Sequence, residues 1–122
     1  IELVVADMAA SLAFYRLLGL DIPAEADAER HVEVPLGGLL LAWDLEETAR
    51  SMNPSWEPPT GGHRVALAFQ AESPAGVDAA YAELTAAGAH GELAPWDAFW
   101  GQRYAVVRDP DGNPIDLFAP LG

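Results

Sequence analysis

The sequence predicts an α+β fold made of two βαβββ modules. Their strands are expected to form a curved, open mixed sheet with the helices on its convex face. Three observations lead there. Short β-branched runs alternate with two segments of helical apolar spacing. The order strand, helix, hairpin occurs twice along the 122 residues. The helix start and anchor positions also recur at one common offset: Asp7 and Ser73, Tyr15 and Tyr81, Leu18 and Leu84. A chain of this length is expected to be one domain, residues 1–122, with module one about 1–56 and module two about 63–122.

Each element has a local reason. Ile1–Ala6 is a short β-branched strand ended by Asp7, a good N-cap for a helix over Met8–Leu18. Met8, Leu12, Tyr15 and Leu18 give that helix its apolar stripe, and Gly19 stands where a helix-ending glycine belongs. Asp21–Arg30 is a polar connection. His31–Pro35 and Leu39–Trp43 form a hairpin over Leu36-Gly37-Gly38, and Asp44–Met52 is a short helix. Asn53–Gly62, dense in Pro and Gly, is a loop.

The second module begins with the strand Arg64–Gln70. Ser73 caps the next helix, Pro74 takes its first position, and Val77, Ala80, Tyr81, Leu84 and Ala87 face its core before Gly88 ends it. His90–Trp100 reads as a loop bearing two tryptophans. Gln102–Val107 and Pro114–Phe118 are strands joined by the turn Arg108–Asn113. The DPDGN of that turn lacks the bidentate glutamate of a calcium loop.

Composition removes several function classes. With 6 basic against 19 acidic residues the formal charge is −13, which repels phosphate backbones and anionic membranes. Neutral or cationic ligands are easier to accommodate. Cysteine is absent, so disulfides, thiolate metal sites and cysteine nucleophiles are excluded. No apolar run reaches bilayer-spanning length. No basic stretch followed by an apolar block marks a signal peptide, so the cytoplasm is the expected location. Lysine is absent and every basic residue is arginine, as a GC-rich coding bias of the actinobacterial kind would produce.

Strand alternation assigns the open face of the sheet. It should carry Glu2, His31, Glu33, Arg64, Ala66, Ala68, Gln70, Asp116 and Phe118. Acidic, basic and aromatic groups above small residues make a pocket with a few polar anchors. Trp96, Phe99 and Trp100 lie in the segment WDAFW, where they either plug the core or meet a ligand. Trp43, at a strand end, and Trp56, in the Pro-rich loop, are candidates for the pocket rim or a dimer contact. Tyr104 offers a hydroxyl to a ligand carbonyl or to a neighbouring strand. No nucleophile–base pair and no Gly-rich phosphate loop stands out.

The stretches VVADMAASLAFYRLLGL and GQRYAVVRDPDGNPIDLFAPL resemble the vicinal oxygen chelate superfamily of glyoxalase I, extradiol dioxygenases and bleomycin-resistance proteins. IPAEAD, LAWDLEETARS, PTGGHR and PWDAFWGQRYAVVRDPDGN resemble its mitomycin-resistance branch, which sequesters drugs. The resemblance implies a homodimer that binds a planar aromatic or quinone-type antibiotic without transforming it. In that branch a histidine and a tryptophan sandwich the drug, and the matching positions are His31 and Trp100. Metal-dependent relatives use a first-strand histidine, a histidine or glutamate opening module two, and a glutamate on the last strand. Those positions fall at or just before Ile1, at Arg64 (His63 if the register slips by one) and at Asp116. A guanidinium at a ligand position repels a cation, so neither metal nor other cofactor is expected. Arg64 and Asp116 are instead expected to pair with each other or to meet the ligand. The alternatives are a metal-dependent glyoxalase- or dioxygenase-type enzyme, and a carrier of a biosynthetic intermediate.

Overall fold

The computed structural model describes residues 1–122, which divide into two compact units, Ile1–Gly62 and His63–Gly122. The division falls at the end of the Pro/Gly-rich loop. The class is α+β, with one mixed sheet in each unit.

Unit 1 runs β1 (Glu2–Val5), α1 (Met8–Leu17), a short 3-10 segment (Ala24–Ala28), β2 (His31–Leu36), β3 (Leu39–Leu45) and α2 (Glu46–Met52). Its sheet order is β1-β3-β2, parallel on the β1 side and antiparallel on the β2 side. Asp7 caps α1 by accepting from the Ala10 N–H at 3.0 Å. Gly19, with φ of +100°, ends the helix, and the Leu20 N–H closes onto the Tyr15 carbonyl. The polar connection is pinned by Arg16, which donates to the Ile22 and Pro23 carbonyls and pairs with Asp27 at 2.9 Å. The core forms where α1 lays Leu12 and Tyr15 on the β3 face that carries Trp43. Tyr15 and Trp43 meet edge to face at 5.3 Å, and Trp43 is 0% exposed.

Unit 2 runs β4 (Leu67–Gln70), α3 (Pro74–Ala86), β5 (His90–Ala98), β6 (Gln102–Arg108) and β7 (Pro114–Pro120), with sheet order β4-β7-β6-β5. Ser73 caps α3 as Asp7 caps α1, accepting from the Gly76 N–H at 3.1 Å. Val77 and Leu84 pack α3 over Ala105, Val107, Ile115, Leu117 and Ala119, all buried. Gly91 is required by close approach: a Cβ there would lie 2.2 Å from the Tyr81 hydroxyl. The Arg108–Asn113 turn forms as expected. Buried Asp109 accepts from the Asp111 and Asn113 backbone and from the Asn113 side chain.

Two elements differ from the sequence reading. β4 begins at Leu67 instead of Arg64, because the residue pairing Leu67 is Ile115 and the next position along β7 is Pro114. A proline has no N–H with which to extend the ladder. The segment His90–Trp100, read as a loop, is mostly the strand β5. Its register shifts between Gly91 and Leu93, and again between Leu93 and Trp96. These irregularities take up Pro95 and hide the alternation. Only Phe99, Trp100 and Gly101 turn the hairpin, with φ of +93° at Gly101.

Candidate functional site

The chemistry-bearing residues gather on the sheet faces turned away from α1 and α3. In unit 1 the register places Glu2, Ala42 and Glu33 in one cross-strand row and Val4, Asp44 and His31 in the next. The His31 ring is held at both nitrogens. Nδ1 lies 2.6 Å from Asp44 Oδ1 and Nε2 lies 3.3 Å from Glu33 Oε2. The hydrogen bond to Asp44, then that to Glu33, raises the imidazole above its ordinary value, against the opposing effect of burial. The His31 ring is thus fixed in orientation and about half exposed. Asp44, only 2% exposed, is the buried member of the group, and its Oδ2 has no donor. Glu2 is held above the usual carboxylate range, first by a hydrogen bond to Asp44, then by burial and by the Asp44 charge.

In unit 2 an aromatic cluster stands at the β5–β6 hairpin tip. Trp100 is its hub, edge to face with Trp96 at 5.6 Å, Phe99 at 4.9 Å and Tyr104 at 5.2 Å. The Trp100 indole N–H donates to Gln102 Oε1 at 2.7 Å, which fixes the ring. Phe99 is 91% exposed and Trp100 47% exposed. Tyr104 donates its hydroxyl hydrogen to Asp116 Oδ2 at 2.5 Å. Burial, then this contact, pushes the phenol up to about 12, so Tyr104 stays protonated and Asp116 is an occupied acceptor.

Of the residues expected from sequence, His31 and Glu33 come together in unit 1, and Trp96, Phe99, Trp100, Tyr104 and Asp116 in unit 2. Two positions, Trp43 and Arg64, require correction. Trp43 is no rim residue: β3 points it toward α1, and it belongs to the core. Trp56 is half-buried, with the Arg50 guanidinium of its own unit 5.1 Å from its ring centre. Arg64 is exposed and precedes β4, and Asp116 takes Tyr104 as its partner instead. Asp44 belongs to the unit 1 group as well, as the buried partner of His31. Its signal was legible: in Leu39–Leu45 it is the acidic residue that alternates with Ala42 and Leu40, away from the apolar face.

The donors present do not suit a divalent ion. Arg64 is a cation, Asp116 is hydrogen-bonded to Tyr104, and no three His, Asp or Glu side chains converge as ligands would. No helix is long and apolar enough to cross a membrane.

Comparison with known proteins agrees with this architecture. Residues 1–117 match the family model described as the glyoxalase/bleomycin resistance protein/dioxygenase superfamily. No curated protein sequence matches. Among solved structures, a glyoxalase/bleomycin resistance protein/dioxygenase family enzyme from Burkholderia phytofirmans PsJN superposes with a TM-score of 0.84 at 22% identity, covering 99% of this chain and 96% of its own. A protein of Agrobacterium tumefaciens gives 0.72 at 28% identity, over 100% of this chain and 95% of the other. TioX from Micromonospora sp. ML1 gives 0.67 at 24% identity, over 99% and 96%. With a family model matched over nearly its whole length and the fold shared by these structures, the chain belongs to the glyoxalase/bleomycin resistance protein/dioxygenase superfamily.

Proposed function

We propose that this protein is a non-catalytic binding protein. As a homodimer it sequesters a planar aromatic or quinone-type natural product, and so protects the cell that makes or meets it. The observation that supports this most is the Trp100-centred ring cluster. Four aromatic side chains hold one another edge to face, yet leave Phe99 and Trp100 substantially in solvent. Apolar surface of this kind is stabilised by an occupant. A flat ligand gains dispersion and desolvation on an indole face, and an electron-poor quinone favours the electron-rich ring. His31 is the second ring contact in this reading, and its fixed orientation lowers the entropy lost on binding. Tyr104 and Asp116 set the polar edge beneath the rings.

The test is a titration of mitomycin C and simple naphthoquinones followed by tryptophan fluorescence, repeated on Trp100→Ala and His31→Ala. Loss of one ring contact should weaken binding by roughly 1–3 kcal/mol, about 5- to 150-fold. The drug should be recovered chemically unchanged. Unaltered affinity in Trp100→Ala refutes the reading. So does stoichiometric metal in protein purified without chelator, together with turnover of the ligand.

A further inference from the structure

The open face of unit 1 has a feature that an aromatic ligand does not use. Ala42 is a small, buried floor residue between two carboxylates, Glu2 on β1 and Glu33 on β2, each one strand spacing (about 4.8 Å) away. Asp44 closes one end of this seat, one pleat further along β3. Its carboxylate is nearly out of water, with Oδ1 engaged by His31. Its Oδ2 is buried and meets no N–H donor, although a buried acceptor ordinarily finds one; the groups near it are Glu2, a carboxyl that can only share a proton with it, and the His31 ring, which also reaches Glu33. Glu2, long and exposed, lies against Asp44 and can turn toward an incoming group.

We propose that this seat binds an organic cation bearing N–H groups, a primary ammonium or a guanidinium, held between Glu2 and Glu33 with one hydrogen directed at Asp44 Oδ2. Charge selects the sign. Three carboxylates face one imidazole, in a chain of net charge −13. Geometry selects an organic cation over a divalent ion, because no three carboxylate or imidazole groups converge as metal ligands. The bare Oδ2 selects a donor over a quaternary ammonium, which has no hydrogen to offer. The site lies wholly within unit 1 and stands whether or not an aromatic ligand engages Trp100.

The experiment uses ring-free probes, so that its result is independent of stacking. n-Butylammonium and n-butylguanidinium are titrated into isotopically labelled protein at low ionic strength, with amide shifts followed at Glu2, Glu33, Ala42 and Asp44. Saturable shifts centred there are expected. Glu2→Gln and Glu33→Gln should each weaken binding by about two- to fivefold, the range of an exposed ion pair. Glu83→Gln, on the exposed side of α3, should leave it unchanged. The proposal is overturned if 1-butanol shifts the same amides as strongly, or if tetramethylammonium binds as well. It is equally overturned if magnesium binds there more tightly than the amines, or if Glu83→Gln weakens binding as much as Glu2→Gln. A failure of these probes leaves the Trp100 titration free to succeed.

Discussion

Replacing Trp43 by alanine should destabilise the protein by about 3 kcal/mol. The figure follows from three contributions at one side chain. Trp43 is fully buried, and truncating a core tryptophan to alanine costs about 3–5 kcal/mol through lost burial and the cavity left behind. Its edge-to-face contact with Tyr15 at 5.3 Å places it toward the upper part of that range. Against this, the indole N–H is buried without an acceptor, and removing an unmade donor recovers about 1–3 kcal/mol. Guanidinium unfolding followed by circular dichroism reads the net effect as a midpoint lowered by about 1 M, for a slope of roughly 3 kcal/mol per M. Trp43→Phe separates the contributions, since it keeps an aromatic ring and deletes the unmade donor. Its loss should stay below about 1.5 kcal/mol. Drug binding by Trp43→Phe should equal wild type. A loss under about 1 kcal/mol in the alanine variant, or a weakened drug affinity in the phenylalanine variant, would refute the core assignment and return Trp43 to the ligand surface.

Two titrations test the polar groups. In a spectrophotometric pH titration one tyrosine should ionise near pH 12, and Asp116→Asn should bring it down, though not to an unperturbed value, because burial is the larger cause. An unmoved transition would show that Tyr104 is not bonded to Asp116. For His31 the folded value is raised, chiefly by Asp44 and next by Glu33. The contribution to stability is therefore complete below about 6.5, the unfolded value, and disappears as pH rises through the folded value. Thermal melts across that window should show a slight fall that His31→Asn flattens. Parallel curves for the two proteins would show that the imidazolium contributes nothing.

Much of this organisation could be read from the residues alone, and for definite reasons. Caps and glycines are local signals, so Asp7, Gly19, Ser73 and Gly88 marked the ends of α1 and α3 to within a residue or two. Alternation is equally local, and it put His31 and Glu33 on one face and Val32 and Val34 on the other. What escaped depended on partners distant in sequence. Nothing within Arg64–Gln70 reveals that Ala66 would face Pro114. Trp43 alternates onto the apolar face with Leu41, but a strand-end tryptophan looks equally like a rim residue until Tyr15 is brought against it. β5 was obscured because two irregularities break its period of two. Asp44 stands where it could cap α2 or meet a cation at the rim, and its side chain turns to His31, a partner distant in sequence.

The outer strands β2 and β5 each contain a proline, Pro35 and Pro95, and β5 is kinked as well. A rim interrupted in this way makes a poor template, because a stray extended chain finds a missing donor where it would dock. Each sheet therefore carries its own guard against fibril growth along that border. Replacing either proline with a β-branched residue would lengthen the bondable margin, and the expected harm would be clumping at high concentration rather than any loss of folding.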